Sequence, residues 1–81
     1  MDLKFAVLQI LDTSKNENVD LLVAKDMLNG MEHLDEAYKF INRNYDTVTK
    51  CRRLGISFEP LYSTDEETRE KFKKEVADMN E

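Results

Sequence analysis

The chain has 81 residues, with 17 acidic and 12 basic side chains, a formal net charge of −5 and a pI near 4.9. That balance opposes indiscriminate attachment to nucleic acid or to an anionic membrane, because the long-range field is repulsive, although it leaves room for a local basic face. A single cysteine excludes an internal disulfide and a cysteine-pair zinc site, so neither secretion nor a metal is required.

The length suits one small domain spanning residues 1–81. Hydrophobic residues make up 41% of the chain, while there are only two glycines and one proline, too few turn formers for a sheet-rich fold of this size. The expected fold class is therefore all-α, a compact bundle of four to five short helices. The first residues carry no basic leader and no small-residue cleavage site, and their apolar run falls far short of the roughly 20 residues a membrane span needs. A cytoplasmic location and no membrane partner are the resulting expectations.

In chain order, Leu3, Val7, Ile10 and Leu11 fall at i, i+4, i+7 and i+8, which predicts a well-buried helix over 2–13 with Asp2 as its cap. Residues 13–18 are polar and rich in capping types and read as a loop. Asn18 then caps a second helix carrying Leu21, Leu22, Ala24, Met27 and Leu28, which stops at Gly30 or continues through it with a kink. Leu34, Ala37, Tyr38 and Ile41 predict a third helix, with Asp35 and Glu36 suited to the positive end of its dipole. After Asn42-Arg43-Asn44, a fourth helix capped by Asn44 or Asp46 carries Val48, Cys51 and Leu54 and stops at Gly55. Ser63 to Glu66 has capping-box spacing, and Phe72, Val76 and Met79 mark a last helix packing by one narrow seam and fraying over 76–81.

Cys51, Gly55, Ile56 and Leu61 stand in the order required by two helices set steeply across a tight turn. On that spacing the segment Thr47–Tyr62 resembles the helix-turn-helix of small DNA-binding regulators. The resemblance implies that residues after Gly55 read bases in the major groove. That segment, however, carries Glu59, Asp65, Glu66 and Glu67 and no cation before Arg69. A shifted reading fits the chemistry better. Arg43, Lys50, Arg52 and Arg53 supply phosphate contacts, and Asn44, Tyr45, Thr47 and Thr49 supply polar readout. The plainer reading of the same cations is a solvated or ion-paired face near a helix C-terminus.

The competing expectation is an acidic adaptor or inhibitor that binds a protein partner through an apolar cluster at Phe58, Leu61 and Tyr62. Met1, Met27, Met31 and Met79 fill core gaps, but Met27 and Met31, at i and i+4, become partner-binding groups if exposed. One histidine, His33, makes a poor transition-metal site, no glycine-rich phosphate loop is present, and Cys51 reads as a core residue. No cofactor and no catalytic apparatus are expected. DNA is thus one candidate partner, a protein the other, and a homodimer is compatible with both.

Overall fold

The computed structural model describes residues 2–80, which are all-helical: 73% of them lie in helices and none in a strand. The elements are α1 (Leu3–Glu17), α2 (Leu21–Met27), α3 (Leu34–Arg43), α4 (Tyr45–Leu54), a 3-10 turn (Glu59–Tyr62) and α5 (Glu66–Ala77). They gather into two compact units, Met1–Arg43 and Asn44–Glu81. Met1, one of the expected core methionines, and Glu81, the end of the segment expected to fray, lie outside the described residues.

In the first unit α1 packs against α2 and α3, and α2 against α3. Asp2 caps α1 as its position suggests, Oδ1 accepting the Phe5 N–H at 3.0 Å. The buried side chains are Ala6, Val7, Ile10 and Leu11 from α1, Ala24 from α2, and Leu34, Ala37, Phe40 and Ile41 from α3. The polar stretch 13–17, expected as a loop, instead extends α1 by more than a turn. Thr, Ser, Lys and Glu each lower helix propensity by only a fraction of a kcal/mol, which the established helix tolerates. The capping residues act at the other end of the helix: Asn18 takes the left-handed conformation (φ 54°) and donates its N–H to the Ser14 carbonyl. Ser14 Oγ also donates to the Val19 carbonyl at 2.6 Å. Asn18 therefore closes α1 rather than opening α2, and α2 is capped by Asp20, whose Oδ1 accepts the Val23 N–H at 2.8 Å. The turn to α3 passes through two left-handed residues, Gly30 (φ 100°) and His33 (φ 66°), so α2 and α3 do not run together.

In the second unit α5 packs against α4 and the 3-10 turn. Val48, Cys51, Phe58, Leu61 and Val76 are its buried apolar side chains. Gly55 closes α4 at φ 72°, as its position predicts. The second helix required by the helix-turn-helix spacing does not form. Beyond Gly55 the chain leaves helical conformation, Ser57 Oγ accepts the Glu59 N–H at 3.1 Å, and residues 59–62 make a single 3-10 turn with Pro60 as its second residue. Of the nine residues between Gly55 and the cap of α5, only the four of the 3-10 turn are helical. That cap is Asp65 rather than Ser63, whose Oγ instead accepts the Asp65 N–H at 3.1 Å. Thr68 Oγ1 donates to Asp65 Oδ2 at 2.6 Å, which is the main reason the Asp65 carboxyl is held below the usual aspartate range. Val76 is buried within the last turn of α5, and Asp78, Met79 and Asn80 lie beyond the helix.

Candidate functional site

The residues expected to contact nucleic acid fall in both units: Arg43 is the last residue of α3, and Asn44 to Arg53 belong to the second unit. Asn44, which precedes α4, is only 5% exposed, so its amide is packed inside rather than offered to a base. Tyr45, on the first turn, is exposed, and Thr47 is half-buried. The Thr49 hydroxyl donates back to its own helix, to the Tyr45 carbonyl at 2.8 Å and the Asp46 carbonyl at 3.2 Å. Lys50 Nζ donates to the Ala77 carbonyl at 3.1 Å, where an ammonium satisfies an end-of-helix acceptor and meets the negative end of the α5 dipole. Arg52 and Arg53 are engaged in interactions of their own.

The apolar cluster expected to anchor a protein partner is mostly internal. Phe58 is 8% exposed and Leu61 2%, and the Phe58 and Tyr62 rings lie 6.1 Å apart at a tilt of 34°. Burial of these side chains leaves Tyr62, half-buried, as the part nearest solvent.

The larger outward apolar surface lies in the first unit, on α1 and α2. Phe5 and Leu8 of α1 are exposed, and so are Leu22, Val23 and Met27 of α2, at 51%, 41% and 53%. On α2 the inner side is Ala24 with half-buried Leu21, Lys25 and Leu28, and a helix turns 100° per residue. Leu22, Val23, Asp26 and Met27 therefore share the outer side. A surface helix needs one apolar stripe; α2 has apolar side chains on both sides. Leu22 and Val23 escape a reading by periodicity, because six apolar residues among the eight of 21–28 satisfy any inward stripe. Their number is the signal: it exceeds what one stripe requires.

Charge is concentrated in the same place. Residues 17–36 hold six carboxylates, Glu17, Asp20, Asp26, Glu32, Asp35 and Glu36, against one cation, Lys25, a net of −5. In the remaining 61 residues eleven carboxylates balance eleven cations, so this stretch accounts for the whole net charge of the chain. All six carboxylates are on exposed residues. Lys25 is committed within the unit: Nζ lies 2.7 Å from Asp35 Oδ1 and 5.4 Å from the centre of the Tyr38 ring. The hydrogen bond to Asp35 raises the Lys25 pKa above its ordinary value, and the same bond lowers that of Asp35. Where α2 turns into α3, an open polar hollow of about 270 Å³ is lined by Lys25, Asp26, Asn29, His33, Asp35 and Glu36. His33 Nδ1 lies 4.0 Å from Glu36 Oε2 there.

Among the described residues no group of three His, Cys, Asp or Glu side chains is placed to hold a metal ion. Cys51 is buried, and burial pushes its thiol pKa up, away from the thiolate needed for nucleophilic attack. No described helix is long and apolar enough to cross a membrane. No protein-family model, curated protein or solved structure matches the chain.

Proposed function

We propose that this chain is a small non-catalytic adaptor or inhibitor that acts by binding another protein through the outward apolar side chains of its first unit. The observation that carries the reading is the exposure of Leu22, Val23 and Met27 on one side of α2, with Phe5 and Leu8 exposed on α1. Scattered exposed apolar residues are ordinary, but three within six positions of a seven-residue helix form a patch.

Burying a large apolar side chain completely contributes roughly 1.5–3 kcal/mol, so covering the exposed half of each of the three on α2 contributes about 1 kcal/mol apiece. The resulting ~3 kcal/mol, or ~5 kcal/mol with Phe5 and Leu8 added, lies at or below the low end of the ~4–15 kcal/mol association typically costs. The apolar patch therefore needs neighbouring polar or charged contacts to hold a partner. Nucleic-acid binding has less support. Lys50 is bonded to Ala77, the Thr49 hydroxyl to its own helix, and no recognition helix follows Gly55.

The test is affinity capture with the wild-type chain and with a Leu22→Lys, Met27→Lys double variant, run beside pooled duplex and single-stranded DNA at low salt. One stoichiometric partner retained by the wild type and lost from the variant, with no DNA retained, is the expected result. Identical retention by both proteins refutes the reading. DNA retention abolished by Arg52→Ala with Arg53→Ala would replace it with a nucleic-acid function.

A further inference from the structure

If α2 binds a protein, its composition also specifies the kind of segment that fits it, an inference that rests on the protein-binding reading. The outer side of α2 is a short apolar ridge, Leu22, Val23 and Met27, with Asp26 among them and Asp20 at its start. Glu17 precedes it in the chain, and Glu32 and Glu36 lie beyond its end. The one cation of this stretch cannot balance them, because Lys25 lies 2.7 Å from Asp35 and over the Tyr38 ring, on the inner side of the helix. Asp26 also lines the polar hollow at the α2–α3 turn, so the carboxylate surface continues past the end of the ridge.

A surface of this composition selects against nucleic acid and anionic lipid, whose charge it repels, and against an acidic protein segment for the same reason. It favours a partner that brings apolar side chains to the ridge and cations to its borders. The described residues offer no strand edge to which an extended peptide could add, whereas a helical ridge accepts the groove of another helix. At about 1.5 Å per residue, the seven residues of α2 match an anchor pattern of i, i+3 or i+4, and i+7 on a partner helix. We infer that the outer face of α2 docks a basic amphipathic helix of another protein, its apolar stripe on Leu22, Val23 and Met27 and its Lys or Arg side chains toward Asp20, Asp26 and Glu32.

The test uses the full chain and two synthetic probes, an amphipathic Leu/Lys helix and the same design with Glu in place of Lys. Binding is read by fluorescence anisotropy and mapped by backbone amide NMR shifts. The Leu/Lys probe is expected to bind at least roughly tenfold tighter than the Leu/Glu probe, and more weakly as salt rises. Its shifts should concentrate on residues 20–36. Asp26→Lys with Glu32→Lys should weaken it by roughly tenfold, and so should Met27→Ser, while Lys71→Glu in the second unit leaves it unchanged. All these positions except Lys71 lie on the exposed surface of the first unit, and helical circular dichroism checks that each variant folds. Equal binding of the two probes, shifts confined to residues 45–79, or stronger binding to phosphatidylserine vesicles than to the Leu/Lys probe would each overturn the assignment. The basic segment and the protein-binding reading fail separately. A captured partner lost on Leu22→Lys with Met27→Lys, yet indifferent to salt and to Asp26→Lys with Glu32→Lys, overturns the basic segment alone. Capture unaffected by Leu22→Lys with Met27→Lys removes the protein-binding reading beneath it.

Discussion

Two residues hold nearly the same left-handed backbone angle, Gly55 at φ 72° and His33 at φ 66°, and exchanging what stands there should move stability in opposite directions. A side chain in this region costs about 1–2 kcal/mol, because Cβ approaches the following carbonyl oxygen. At Gly55 a Cβ would meet nothing within 4 Å, so no packing clash or gain obscures the backbone effect. Gly55→Ala also removes freedom from the unfolded chain, which returns roughly 0.4–1 kcal/mol. The net expectation is a loss of about 0.5–1 kcal/mol. His33→Gly reverses both effects and should gain on the order of 0.5 kcal/mol, less than the mirror value because histidine tolerates this region better than most residues. Its 4.0 Å contact with Glu36, between two exposed side chains, contributes little against that gain. For a chain of this size the melting midpoint should fall by about 2–8 °C in the first variant and rise by about 2–4 °C in the second. Thermal unfolding followed by circular dichroism at matched concentration measures both. An unchanged or raised midpoint for Gly55→Ala, or a lowered one for His33→Gly, would refute the backbone argument.

The Lys25–Asp35 pair gives a titration with a definite sign. Lys25 holds the Asp35 pKa below its unfolded value, so the stabilisation is present above that unfolded value and is lost as pH falls through the lower, folded one. The raised Lys25 pKa acts oppositely: its contribution is complete below the unfolded lysine value and is lost as pH rises through the folded one. Carboxyl NMR should therefore show the Asp35 midpoint moving up on Lys25→Gln, and an unmoved midpoint would contradict the 2.7 Å contact. Cys51, buried and with its pKa raised, should react with a disulfide reagent only as fast as the second unit opens, and urea should accelerate the reaction sharply. Native labelling at the unfolded-chain rate would show the thiol to be accessible.

Helix α3 is legible in the sequence because Leu34, Ala37 and Ile41 repeat at helical spacing, and α4 because Gly55 offers a stop only glycine fills without strain. Asn18 misleads for a physical reason: the short amide side chain that favours an N-cap also tolerates the left-handed residue that ends a helix, and here its N–H bonds back to the Ser14 carbonyl. The Cys51–Leu61 spacing is satisfied without its helix, because Leu61 reaches the buried side of the second unit from a single 3-10 turn. The candidate surface is legible in kind but not in place. An apolar excess and an acidic balance are visible in the composition, yet whether Leu22 or Leu61 faces water depends on which side of its segment the neighbouring helix covers. The confinement of the whole net charge to residues 17–36 needs no structure to see, only a count taken along the chain.

That confinement also governs how copies of this chain treat one another. A homodimer is compatible with the sequence, but pairing through α2 would set one net −5 stretch against another. Screening shortens the reach of that repulsion from about 10 Å at 0.1 M salt to about 3 Å at 1 M. The carboxylates thus act as a colloidal guard over Leu22, Val23 and Met27, keeping the exposed ridge from being satisfied by its own kind. Salt should therefore loosen a basic partner and promote self-association through the same three side chains. Sedimentation across a salt series reads this directly: a monomer at low salt that associates as salt rises, less so with Met27→Ser. Association that weakens with salt would place any self-contact on another surface.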